Sequence, residues 1–204
     1  MSVPCARCGR EYDVTLFEFG RTIWCTCGSR VGVEPRIRRV TADAEVCFSA
    51  DAMLGKLARW LRLLGFDCTY ENDIADAELV RRAIEQGRAV LTRDHALPDE
   101  WRAPDIYVVR AVRTFEQLGE VVRRFDLSGA VRLFSRCSEC NRHLITAAAA
   151  DLRGRVPASI LATHEQLREC PGCGRVYWQG SHTRHIQRVV EQLLATVESP
   201  VSGF

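Results

Sequence analysis

One stretch of this chain, Phe48–Phe66, constrains its fold more than any other. It reads as the end of a buried strand, a single acid at Asp51, and an amphipathic helix stopped by Gly65. Leu54, Leu57, Ala58, Leu61 and Leu64 recur at helical spacing, so a helix over Met53–Leu64 packs one face on a sheet. Ala89–Asp94 repeats the grammar of an apolar run followed by an acid. Between and after these motifs we read strands Glu45–Ala50, Asp67–Tyr70, Ala89–Thr92 and Ile106–Arg110. They alternate with helices Met53–Leu64, Ala75–Gln86 and Thr114–Phe125. Alternation at these lengths predicts a parallel α/β sheet in three layers. In such sheets chemistry gathers beyond the carboxyl ends of the strands, where Asp51 and Asp94 stand.

Ten cysteines shape the rest of the chain. Eight fall into close pairs: Cys5 and Cys8, Cys25 and Cys27, Cys137 and Cys140, Cys170 and Cys173. A C-x-x-C knuckle lets two thiolates grip one tetrahedral ion, and two knuckles close a four-sulfur zinc site. A closed site leaves zinc no open position, so these ions are expected to be structural. Cys5, Cys8, Cys25 and Cys27 define an N-terminal ribbon with strand-like runs Tyr12–Phe19 and Thr22–Trp24 around a turn at Gly20. Cys137, Cys140, Cys170 and Cys173 define a C-terminal ribbon whose 29-residue gap is expected to hold a helix at Ala147–Leu152. A helix near Thr183–Leu194 and a frayed tail over Leu193–Phe204 follow. Cys47 and Cys68 lie alone in strand-like runs and read as core thiols. The expected domains are therefore 1–40 (ribbon and basic link), 41–127 (central α/β domain) and 128–204 (ribbon and helical tail).

No leader-like segment and no apolar run of roughly 18 residues is found, so neither a signal peptide nor a membrane span is expected. Metal-type cysteine usage without a leader predicts a reducing compartment, the cytoplasm. The net charge of +2 is unevenly spread. Residues 1–40 carry seven Arg against four acids, 41–127 twelve basic against sixteen acidic residues, and 128–204 nine Arg against six acids. Basic flanks around an acidic centre hint at phosphate binding, and the link Arg36–Thr41 with Arg36, Arg38 and Arg39 belongs to that hint.

Phosphodiester hydrolysis by hard cations needs several carboxylates around Mg²⁺ or Mn²⁺. Asp51 and Asp94 are two candidates, and the third comes from Glu71–Asp76. There Asp73 reads as a helix N-cap, with Asp76 three residues on. Asp99 and Glu100, after Pro98, read as solvated loop acids, and His95 as a surface histidine. Lys56, the chain's one lysine, starts the helix after Asp51 and is placed to meet a phosphate, with Arg59 at i+3. Tyr177 and Trp178 beside Arg175 either stack on bases or pack the ribbon.

Taken in order, Phe48–Phe66, the aspartate-led helix from Asp76, Gly87–Asp94, Arg136–Asn141 and Cys170–His182 resemble the Mut-seven C-terminal RNase domain family. That family is a branch of PIN-like nucleases with a C-terminal zinc ribbon. The resemblance covers about residues 45–185 and implies a PIN-like fold and metal-dependent ribonuclease activity on RNA, single-stranded in expectation. It assigns Asp51, Asp76 and Asp94 to the acidic site, choosing Asp76 over Asp73; our own reading of the helix after Asp51 adds Lys56 and Arg59 as phosphate-orienting groups. A fourth acid is sought among Asp73 and Asp99. The N-terminal ribbon lies outside the match and has RNA or a protein as its expected partner. The alternative from another class is a non-catalytic nucleic-acid-binding protein that keeps the shell. The absence of G-x-G-x-x-G after the first strand argues against dinucleotide binding.

Overall fold

A computed structural model describes residues 2–33, 45–102, 105–164 and 166–198. The basic link Arg36–Thr41 lies outside these. The chain divides into two compact units, Met1–Ala58 with Cys68–Arg110, and Arg59–Asp67 with Ala111–Phe204.

In the first unit, β1 (Ser2–Pro4) pairs antiparallel with β2 (Glu11–Asp13), and β3 (Thr22–Trp24) with β4 (Arg30–Gly32). The strand-like run at Tyr12–Phe19 is mostly not a strand. Asp13 accepts from the amide of Thr15 at 2.9 Å and from its hydroxyl at 2.8 Å, and the chain turns into a 3₁₀ helix, Val14–Gly20. A local cap outcompetes the ladder there. Gly20 ends that turn with φ +81°. Cys5, Phe17, Cys25 and Val31 form the small core, joined by Val3, Tyr12 and Ile23.

The main sheet has four parallel strands in the order β6-β5-β7-β8, comprising β5 (Phe48–Ala50), β6 (Cys68–Tyr70), β7 (Ala89–Thr92) and β8 (Ile106–Val108). β7 is buried along its whole length, as a central parallel strand must be. A 3₁₀ turn, Ala52–Leu54, leads from β5 into α1 (Gly55–Leu63). The fully buried Leu54, Leu57, Ala58, Leu61 and Leu64 confirm the apolar stripe. Gly65, at φ +101°, closes α1 with the paired bonds Phe66 N–H to Leu61 O (2.9 Å) and Gly65 N–H to Arg62 O (3.0 Å). α2 (Asp76–Gln86) ends the same way at Gly87. It packs Leu79, Val80 and Ala83 with Val90, Leu97 and Trp101. A four-residue helix, α3 (Leu97–Glu100), precedes β8.

In the second unit, α4 (Thr114–Arg124) buries Gln117, Leu118, Val121 and Val122. Gly119 of this helix faces Leu193 and Val197 of α6 (Ser181–Glu198). The C-terminal ribbon is a three-stranded antiparallel sheet, β11-β10-β9, from β9 (Ile145–Ala147), β10 (Leu167–Glu169) and β11 (Val176–Trp178). The expected helix at Ala147–Leu152 is absent. Ala147 pairs with Leu167, and the helix in the gap is α5 (Ala158–Thr163), entered through Pro157. Alanine propensity over so few residues cannot meet the cost of helix nucleation against a strand partner. α6 runs Ser181–Glu198, so the helix continues past the expected fraying point at Leu193. Among the described residues, no helix is long and apolar enough to cross a membrane.

Candidate active site and cysteine clusters

Strand register places Ala50 beside Leu91, so Asp51 and Asp94 leave neighbouring strands at the same sheet edge. Asp51 is buried, 7 % exposed, and its amide donates to Leu91 O at 2.9 Å. One hydroxyl connects the two acids. Thr92, fully buried, donates from Oγ1 to Asp51 Oδ2 at 2.6 Å and accepts from the Asp94 amide at 2.9 Å. Asp94 Oδ1 in turn accepts from the Ala96 amide at 2.8 Å.

Asp76 opens α2, behind an Ala75 N-cap that offers no side-chain acceptor. Asp73 is therefore not the cap, and its carboxylate accepts from Asn72 at 3.3 Å. Asp76 is electrostatically coupled to the strand-end acids. Its carboxyl is pushed above the usual aspartate range by desolvation first, then by the charges of Asp51, Asp94 and Glu100. Glu100, at the end of α3, is an acid the motif reading set aside. Its only sequence signal is the Pro98 that nucleates a helical turn behind Asp94. Among the described residues none of the three aspartates is ion-paired. They do not join the groups whose ligand atoms all lie within 4.8 Å of one another. Lys56 is exposed on the first turn of α1, and His95 is exposed. Arg59 is exposed too, but its guanidinium meets Glu139 at 3.1 Å.

Both cysteine quartets gather as the spacing predicts, with four sulfurs within 4.8 Å in each. Cys5–Cys27 and Cys8–Cys25 stand at 3.6 and 3.5 Å, and Cys137–Cys173 and Cys140–Cys170 at 3.6 and 3.2 Å. Four sulfurs about 2.3 Å from one ion stand ~3.8 Å apart, so both sets fit zinc. Hydroxyls complete the match. Tyr177 lies 3.1 Å from Cys137 Sγ, and the buried Tyr12 hydroxyl, with no other partner among the described residues, faces Cys25. The Cys27 amide and Tyr12 bring Cys25 down to about 6. Burial opposes ionisation of Cys137, yet Tyr177 and the amides of Cys140 and Glu139 bring it to about 6. Burial and its sulfur neighbours push Cys140 up to about 12. Four convergent sulfurs in each quartet suit a closed tetrahedral zinc site of the structural kind.

Tyr177 is thus spent on the quartet, and Trp178 packs against Leu152, Val156 and Leu167. Of the two readings for this pair, ribbon packing is the one the contacts carry. Arg62, 4 % exposed, donates to the carbonyls of Ser138 (3.2 Å) and Glu139 (2.6 Å) inside the first C-terminal knuckle. Arg136 is also buried, and donates to Gly65 O at 3.1 Å and Asn141 O at 3.0 Å.

No curated protein and no solved structure matches the chain. A family model does, that of the Mut7-C RNAse domain, over residues 46–190. The match takes in the sheet, its strand-end acids and the C-terminal quartet, and leaves the N-terminal quartet outside it. On this shared span, the chain belongs to the Mut7-C RNAse domain family.

Proposed function

We propose that this protein is a metal-dependent ribonuclease whose site is built from Asp51, Asp76 and Asp94. The observation that carries the proposal is the Thr92 hydroxyl joining Asp51 and Asp94 at one sheet edge, in a chain of an RNase-domain family. The like charges of Asp51, Asp94 and Glu100, which with desolvation hold the Asp76 carboxyl above its usual range, support this reading. Oxygen donors of this kind suit Mg²⁺ or Mn²⁺. Such an ion, when bound, supplies Lewis-acid activation of water and neutralises the scissile phosphate.

The chain's own residues have separable roles. Asp51 is held by Thr92 and cannot swing to solvent without leaving a buried hydroxyl unpaired. Asp94 and Asp76 add charge that favours the cation and repels bare RNA. Lys56 orients the phosphate. Arg59 is held by Glu139, but an exposed ion pair contributes only ~0–1 kcal/mol, so a phosphate oxygen can recruit it. The substrate is single-stranded RNA, the three modules 1–40, 41–127 and 128–204 act together, and the compartment is the reducing cytoplasm.

The test is RNA cleavage with Mn²⁺ by the wild type and by Asp51→Asn, each carrying its zinc. Cleavage that needs Mn²⁺ and is lost in Asp51→Asn supports the reading. RNA binding without cleavage by the wild type would leave a non-catalytic binding protein instead. Binding should weaken with salt, with a slope of about −0.7 per phosphate contact.

A further inference from the structure

The N-terminal quartet lies outside the family match, and the contacts of its module point back into its own unit. α3 has four residues, so its terminal carbonyls have no helical partners of their own. The N-terminal module supplies them. Thr22 Oγ1 donates to Asp99 O at 2.6 Å. Arg30 donates to Pro98 O and, at 3.2 Å, to Trp101 O. The two are locked to each other, Arg30 Nε donating to Thr22 Oγ1 at 3.0 Å. Next along the chain the Arg102 amide donates to Gly20 O at 2.6 Å, Arg21 bridges to Trp101, and its guanidinium stands 6.0 Å from that ring. The other end of α3 is held by Asp94, which caps Ala96. A short helix is therefore pinned at its start by an acid of the site and at its end by the ribbon.

We infer that the N-terminal four-cysteine module acts within its own chain as a clamp on α3, with Thr22 and Arg30 as positioning residues that hold Asp94 in place for the cation. The inference rests on the ribonuclease reading above. Neither residue touches substrate. Each acts through backbone carbonyls, and loosening α3 releases the Ala96 amide that orients Asp94. Supporting partners of this kind change metal affinity or activity by ~10–100-fold when removed.

The experiment uses the full chain with Thr22→Val and Arg30→Ala, singly and together, and Thr22→Ser as the conservative control. Zinc content is measured first, and close to two ions per chain shows that the ribbons are intact. Mn²⁺ binding is then followed by electron paramagnetic resonance, RNA cleavage is resolved into kcat and KM, and hydrogen exchange is read at the amides of Glu100 and Trp101. The clamp predicts that the double variant shifts Mn²⁺ half-saturation and lowers kcat by about ten-fold or more. KM should change little, α3 should exchange faster while β7 stays protected, and Thr22→Ser should retain wild-type values. Unchanged Mn²⁺ binding and α3 exchange overturn it. So does a rise in KM with metal binding intact, which makes the module an RNA grip. A wild type that shows no Mn²⁺ binding sensitive to Asp51→Asn refutes the ribonuclease reading itself, and the clamp with it.

Discussion

Replacing Thr92 by Val keeps the shape of the side chain and deletes one oxygen. That oxygen has two partners, Asp51 Oδ2 at 2.6 Å and the Asp94 amide at 2.9 Å, at a position with no solvent exposure. A hydrogen bond to a charged group contributes ~1.5–3 kcal/mol, and an amide left unpaired adds a further ~1–3 kcal/mol. The added methyl recovers ~1 kcal/mol of apolar burial. The net loss is about 1.5–5 kcal/mol, which for a chain of this length lowers Tm by about 3–20 °C. Thr92→Ser keeps the hydroxyl and should lose only about 1 kcal/mol of packing. Calorimetric melting of the three proteins with zinc bound measures this directly. Mn²⁺-dependent cleavage should fall about ten-fold or more in the Val variant and little in the Ser variant. Equal melting of Val and wild type, or a Ser variant as impaired as Val, would refute the shared-hydroxyl argument.

Gly20→Ala should destabilise the first unit, because the backbone sits at φ +81° and a Cβ there would overlap the Arg102 carbonyl oxygen. About 1–3 kcal/mol lost, with faster exchange at the Arg102 amide, is the expected outcome. Arg62→Met should cost about 2–4 kcal/mol by unpairing two carbonyls of the C-terminal knuckle. Chelator titration should then remove zinc from Cys137, Cys140, Cys170 and Cys173 before the N-terminal quartet. For Asp76 the carboxyl is raised, so between the unfolded value of about 3.9 and the folded value the native state binds the extra proton. Its contribution to metal-free stability is present below that window and lost as pH rises through it. The Tm difference between Asp76→Asn and wild type should therefore grow in favour of Asn across the window. Saturating Mn²⁺ should reverse it.

What the amino-acid pattern made legible was set by short-range rules. Ala89–Thr92 reads to the residue because a central parallel strand is an unbroken apolar run closed by a turn. α1 and α4 are written in the spacing of Leu57, Leu61, Leu118 and Val122. Cysteine pairs predict their own convergence, since a knuckle is a local structure. The misses depend on pairing over long range or on competition. Thr92 acquires its role only when β5 lies beside β7 in register, and Glu100 only when α3 folds back toward α2. Arg59 meets Glu139, eighty positions away. At Asp13 and at Ala147 a local cap and a strand partner overrode the propensity of the run.

The chain's preference for arginine has a physical account that bears on how RNA is bound. One lysine stands among 28 basic residues. Ribbon modules have small cores and many turn carbonyls that no ladder satisfies, and a planar guanidinium can hold two of them at once. Arg30 and Arg62 each do so, and Arg7, Arg155 and Arg168 hold the carbonyls of Cys27, Gly174 and Phe134. Several of these carbonyls belong to the cysteine knuckles, where four thiolates around zinc leave a formal −2. Part of the basic excess of the two flanking segments is therefore engaged inside the modules, so the number of phosphate contacts is smaller than the count of arginines implies. Lys56 differs in kind. It is exposed on the turn that follows Asp51, on a flexible stem with a compact charge. A group that must follow a phosphate through a change of geometry needs that freedom, whereas a staple needs a fork, and the chain uses each cation where its mechanics fit.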